Sequence, residues 1–190
     1  MNLLEIVKKN RSYRRFYQET KIDRKTLEEL VELARFSASG GNMQPLRFIL
    51  SCTEEKNGKV FSCLKWAMFL KDWIGPSEGE KPSAYIVMVR KKDLNTPNNL
   101  DAGIMAQSML LGAVERGLGG CMFGAVNRPM LSDLLGIDIE KYEIVLVVAI
   151  GKPKEDIIID DITEGSDTKY YRIGNVHHVP KLKLDDLIIG

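Results

Sequence analysis

Between Gly103 and Val114 the only strongly polar side chains are Gln107 and Ser108, so a helix over this stretch is apolar almost all round. Such a helix has to be buried on most faces, in a core or against another subunit. Material for that core lies on either side: residues 142 to 150 (YEIVLVVAI) form the strongest strand in the chain, and residues 84 to 89 read as a second buried strand. A length of 190 residues fits one domain, or one domain with an extended arm.

Upstream, residues 3 to 9 pair apolar positions at helical spacing and run into Arg11-Ser12-Tyr13-Arg14-Arg15-Phe16. Asp23 is placed to cap a helix whose Leu27, Leu30, Val31 and Ala34 recur at i, i+3, i+4 and i+7, ending near Ser37. A small, polar, glycine-bearing loop over 37 to 45 then leads into a strand over 47 to 52. Residues 58 to 73 are expected to form a helix with Val60, Leu64, Ala67 and Phe69 inward, followed by a loop over 75 to 82. Glycines at 117, 119 and 120 close the apolar helix, and a short helix is expected over 129 to 135. Residues 152 to 190 hold apolar clusters only at 157 to 159 and 187 to 189, too sparse for a second core. They read as an arm packing on the 1 to 151 core or on a partner subunit. This mixed order suggests α/β or α+β, with strict parallel winding the weaker fit.

Lys plus Arg is 27 and Asp plus Glu is 26, so a net charge of +1 supplies no general field for nucleic acid or an anionic membrane. The longest apolar runs fall far short of the roughly eighteen residues that cross a bilayer. Three cysteines without a C-x-x-C pair, in a chain without a signal peptide, point to a reducing, cytoplasmic setting.

Any anion site must therefore be local. Arg11, Arg14 and Arg15 with Ser12 offer guanidinium forks and a hydroxyl suited to phosphate oxygens, or else form a solvated basic turn. Ser39, Asn42 and Gln44 present neutral hydrogen-bonding groups on a backbone that Gly40 and Gly41 let approach a ligand, or bond their own turn. Gly119 to Gly124 offer backbone N–H groups beside an apolar wall, or simply pack a strand end. Lys181 and Lys183 would add cations to the Arg11 cluster if the arm folds back. No P-loop, G-x-G-x-x-G, G-x-S-x-G or H-E-x-x-H is present, and the only histidines are the adjacent His177 and His178. Cys121 in an apolar setting reads as core. With no reactive side chain of its own, an enzyme so built would borrow its chemistry from a cofactor. The reading from another class is a non-enzymatic module gripping a phosphopeptide or nucleotide through Arg11.

In order and spacing, four segments resemble the FMN-dependent nitroreductase family. They are R-S-x-R-x-F (Arg11, Ser12, Arg14, Phe16), S-x-x-N-x-Q-P (Ser39, Asn42, Gln44, Pro45), G-L-G-x-x-x-x-G (Gly117 to Gly124) and a strand ending in G-x-P (Gly151, Pro153). The resemblance implies an α+β fold, a central mixed sheet flanked by helices, built as an intertwined homodimer with flavin sites at the subunit interface. It implies that Arg11, Ser12 and Arg14 hold the FMN phosphate, joined by Lys181 or Lys183. Ser39, Asn42 and Gln44 would contact the ribityl chain and isoalloxazine, and Phe123 and Gly124 would present N–H groups to the flavin N5 and O4 edge. No protein residue is implied as catalytic. The implied reaction is ping-pong, with NADH or NADPH as donor and a nitroaromatic, quinone or similar small molecule as acceptor. Asn10 and Leu46 stand where many similar chains carry a basic residue and a Trp, and Leu182 interrupts what is often a Lys-Arg pair.

Overall fold

A computed structural model describes residues 1–94 and 100–190. Its central sheet has four strands in the order β1-β2-β4-β3, with β1 at Leu46–Ser51, β2 at Ala84–Lys91, β3 at Gly119–Phe123 and β4 at Tyr142–Gly151. All three pairings are antiparallel, with one irregularity at Met88/Val89. The expected parallel element lies elsewhere: Ser12 bridges Gly120 in parallel, and β5 (Asp156–Ile162) runs parallel to β7 (Val176–Leu182) in a second sheet.

Unbroken apolar runs in β2 and β4 arise because both faces of the sheet are covered. Side chains alternate across a strand, so Ala84, Ile86 and Met88 face one layer while Tyr85, Val87 and Val89 face the other. The first layer is α2 (Arg24–Arg35) and α4 (Leu100–Glu115); the second is α3 (Glu54–Phe61) and α5 (Arg128–Leu135). Asp23 caps α2 by accepting from the Thr26 N–H at 2.8 Å, and Leu27, Leu30 and Ala34 are buried as the spacing requires. α4 buries Ala102, Met105, Ala106, Met109 and Leu110, yet leaves Gly103, Ile104 and Gln107 exposed on one side. The opening helix α1 (Leu3–Lys9) packs on α4 without burying any residue of its own.

The helix expected over 58 to 73 is corrected. α3 begins earlier, where Thr53 accepts from the Lys56 N–H, and ends at Phe61. Residues 62 to 73 leave helical geometry because tertiary pairing outcompetes it. Leu64 bridges Val126, Lys65 N–H donates to the Ala125 carbonyl at 3.0 Å, and Ala67 turns to a φ of 36°. Val60, Leu64 and Ala67 are buried as expected, but Phe69 is 41% exposed. Apolar spacing reported the burial there, not the backbone.

The segment after residue 152 is more ordered than its composition suggests. β5, β6 (Tyr171–Ile173) and β7 form a three-stranded sheet in the order β5-β7-β6. This sheet folds back against its own chain, at the Arg11 to Phe16 segment and at Phe69 and Trp73. The last apolar cluster, Leu187 to Ile189, stays exposed. Among the described residues no helix is long and apolar enough to cross a membrane.

Candidate functional site

Two of the sequence motifs turn out to be halves of one contact. Phe16 is fully buried, bridges Pro153, and its ring occupies the space beside Gly151, where an added Cβ would stand 2.5 Å from Phe16 Cδ1. Gly119 likewise makes room for the Tyr13 ring and Pro153, at 2.6 and 2.8 Å from such a Cβ. With Ser12 bridging Gly120 and the Tyr13 N–H donating to the Gly120 carbonyl at 3.0 Å, the start of this segment lies along the edge of β3, while Arg15 to Tyr17 pair with residues 152 to 154 just past β4. Glycines are needed there because an aromatic ring meets backbone.

That segment fans its side chains in different directions. Arg15 forks onto Glu80 at 2.7 and 2.6 Å. Together with Lys154 this holds the Glu80 carboxyl down at about 2, against the cost of its burial. Arg15 is thus spent on bracing the loop after residue 75. Arg11 Nη2 donates to the Val7 carbonyl at 3.0 Å, while its Nε is sealed from solvent without a partner. Burial lowers the Arg11 pKa, partly offset by Tyr13. Asn10 is buried and donates to Gln107 on α4 at 3.2 Å, so this position serves packing. Leu46 joins the core beneath α2 and α4.

Arg14 is the most enclosed of the cluster, 8% exposed. Its Nη1 donates to the Ser12 carbonyl at 3.1 Å and lies 3.2 Å from His177 Nε2, with the Tyr170 ring centroid 4.5 Å from the guanidinium carbon. The Nε–Nη2 edge has no hydrogen bond among the described residues and, unlike Arg11 Nε, is not sealed from solvent. Its backbone N–H donates to Glu155, whose other oxygen accepts from Arg172 at 2.9 Å.

Because a guanidinium only donates, His177 Nε2 is the acceptor and the proton sits on Nδ1, which is buried without a partner. Burial first, then Arg14, Arg172 and His178, push the His177 pKa down from 6.5 to about 4. The sign follows directly: the unfolded chain takes up a proton as pH falls through 6.5, and the folded chain refuses it until about 4. Relative to a His177→Gln variant, the protein should therefore lose stability progressively across that window and hold a constant difference above it. Urea midpoints across the window read this, and a pH-independent difference would contradict it.

Lys181 and Lys183 are both exposed, on β7 and just past its end. β7 meets Arg14 at His177, and Lys181 lies four positions further on, about 13 Å along an extended strand. The residues the arm brings are His177, Arg172 and Tyr170. Sequence reasoning missed them, and Glu155 with them. The available signal was Tyr170-Tyr171-Arg172 facing His177-His178 across a tight turn.

Ser39, Asn42 and Gln44 form one compact loop. Ser39 Oγ donates to Asp101 on α4 and accepts from the Gln44 N–H at 2.9 Å, so its hydroxyl braces the turn. Gln44 Nε2 donates to Asn42 Oδ1 at 3.2 Å. Gly41, Asn42 and Gln44 all have left-handed φ, at 56°, 54° and 48°. For Gln44, which precedes a proline, that is strained by on the order of 1–3 kcal/mol, the kind of cost retained at binding sites. This loop and the Arg11 cluster remain separate within one chain. They rest at different points of α4, at Asp101 and at Gln107, six residues or about 9 Å apart.

Phe123 is buried edge-on against Trp66, ring centroids 4.6 Å apart, and Gly124 follows it at the exposed end of β3. Cys121 beside them is buried, and desolvation raises its thiol pKa, which makes it inert.

A model of the nitroreductase family matches residues 7–73 and 82–152. A Bacillus subtilis (strain 168) protein, YdgI, whose name places it among NAD(P)H nitroreductases, is 22% identical over 188 residues, covering 82% of this chain and 90% of its own. A nitroreductase family structure from Clostridium novyi NT superposes with a TM-score of 0.66 at 23% identity, covering 81% of this chain and 86% of the other. A structure from Exiguobacterium sibiricum 255-15, solved in complex with FMN, has a TM-score of 0.66 at 21% identity, with 82% and 90% covered. At these identities the structural likeness establishes the fold.

Proposed function

Because the chain belongs to the nitroreductase family, we propose that it is an FMN-dependent NAD(P)H oxidoreductase reducing nitroaromatic, quinone or similar small electron acceptors by a ping-pong mechanism. The observation that carries this reading is the Arg11 to Arg14 segment on the β3 edge. There one arginine nitrogen is buried without a partner and a second arginine presents an unbonded Nε–Nη2 fork. Guanidinium forks in this state fit a phosphate monoester, with the Ser12 hydroxyl beside them.

Bound FMN supplies the electron chemistry, taking hydride equivalents from NADH or NADPH and passing them to the acceptor. The chain's own residues bind, orient and exclude water. Arg11, Ser12 and Arg14 would hold the phosphate. Asn42 and Gln44, on their strained loop braced by Ser39, suit the polyol and ring. The backbone N–H groups of Phe123 and Gly124 would favour negative charge on the ring. The wall of Phe123, Trp66 and Trp73 keeps that end dry.

In this reading the protein is a cytoplasmic homodimer, with residues 1 to 151 as the flavin-binding core and 152 to 190 as its arm. Leu3, Leu4 and Ile104, exposed on α1 and α4, supply an apolar face for a second copy. That face also lies between the two separate groups of polar residues, so a dimer would close the site.

Purified protein should be yellow, release FMN on denaturation and bleach under NADH or NADPH. A colourless protein that ignores added FMN would refute the proposal. Arg11→Ala should weaken FMN affinity by ~1.5–3 kcal/mol, roughly ten- to a hundredfold, as read by flavin fluorescence titration. Unchanged affinity removes Arg11 from the site.

A further inference from the structure

We propose that His177 on β7 and Tyr170 just before β6 are positioning residues for the FMN phosphate: they fix Arg14 so that its Nε–Nη2 edge faces the ligand. The inference rests on the flavin reading above and adds to it two residues outside the R-S-x-R segment.

Left alone, an arginine side chain gives up the rotamer freedom of a long flexible stem when it is ordered on a ligand. Here most of that ordering is already done. The Ser12 carbonyl and His177 Nε2 hold Nη1 at 3.1 and 3.2 Å, and the Tyr170 ring covers a face at 4.5 Å. One end of a planar fork is therefore pinned, and the opposite edge, with two parallel N–H donors, is left unbonded. The pinning groups are themselves fixed. His177 is 1% exposed and pairs across the ladder with Arg172, and Tyr170 packs against His177 in a tilted contact and against Phe69 edge-on, at 5.2 and 5.1 Å. His177 is fit for the task only as an acceptor. Its neutral ring accepts a hydrogen bond from Arg14 without competing for the anion, whereas a carboxylate at the same place would neutralise the guanidinium and weaken its pull on phosphate.

This also accounts for the arm's return to its own chain. What it delivers to the cluster is an acceptor and an aromatic face for a cation already present.

The test compares FMN with riboflavin, which has the same ring and polyol but no phosphate. Fluorescence titrations on the full chain give both dissociation constants. His177→Leu should weaken FMN binding roughly tenfold or more and leave riboflavin within about twofold. His177→Gln, whose amide oxygen can accept from Nη1, should restore most of the loss, a rescue that a purely structural role would not give. Tyr170→Leu, at a less buried position, should lower the FMN-to-riboflavin preference without depending on how His177→Leu folds. If both leucine variants keep the parental preference while Arg14→Ala abolishes it, Arg14 needs no positioning and the inference fails alone. A parent chain that binds neither flavin overturns the flavin reading, and this inference with it.

Discussion

Glu155→Ala should destabilise the protein by about 3–5 kcal/mol, measured by urea denaturation. The Glu155 side chain is fully buried and its two oxygens are committed to different partners, the Arg14 N–H and Arg172 Nη2. Removing it strands the Arg172 charge, whose side chain is only 15% exposed and lies over the Trp73 ring at 4.9 Å. Nothing else among the described residues forms an ion pair with Arg172. Truncating one partner of a buried pair costs more than the pair contributes, because the surviving ion keeps its desolvation penalty. Glu155→Gln should fall between the two, since the amide oxygen can still accept from Arg14 but carries no charge. A Glu155→Ala variant within about 1 kcal/mol of the parent would mean the arm does not depend on this link.

Phe16→Ala should cost a similar amount, about 3–5 kcal/mol, and should release FMN as well. Its ring is fully buried where β3, β4 and the N-terminal segment meet, and its N–H is held by the Glu80 carbonyl at 3.0 Å. Loss of the ring opens a cavity and frees the segment that carries Arg14. Because an added Cβ at Gly151 would point into the same space, Gly151→Ala should be harmful alone yet less so in the Phe16→Ala background. Equilibrium unfolding of the four proteins closes this cycle. Strict additivity would show that the ring and the glycine do not share the space.

Much of this was legible before any coordinates. The cap at Asp23 and the burial of Leu27, Leu30 and Ala34 follow from local geometry, since a helix repeats every 3.6 residues whatever surrounds it. The strands at 84 to 89 and 142 to 150 showed themselves by unbroken apolar character. The R-S-x-R-x-F and G-x-P segments could be recognised as a pair, although only the packing of Phe16 on Gly151 says why they occur together. The stretch after residue 61 misled, because Leu64 and Ala67 continue the helical spacing of Val60 and are buried, but in a non-helical segment where Leu64 bridges Val126.

The C-terminal segment was least legible. Its burial is polar: a carboxylate between an N–H and an arginine, a neutral histidine against another arginine, a tyrosine over a cation. Hydropathy does not register such contacts, so Glu155, Arg172 and His177 were not singled out as site residues.

The amino-acid sequence by itself determined the two long buried strands, the capped helix α2 and the existence of a basic segment, because periodicity and capping act over a few residues. Which cations keep unbonded donors and which are spent inside the protein was decided only by the tertiary structure. Arg15 goes to Glu80, Arg172 to Glu155, and Arg14 keeps one edge free. Each of those outcomes depends on a partner between 17 and 163 residues away, whose approach no local pattern records.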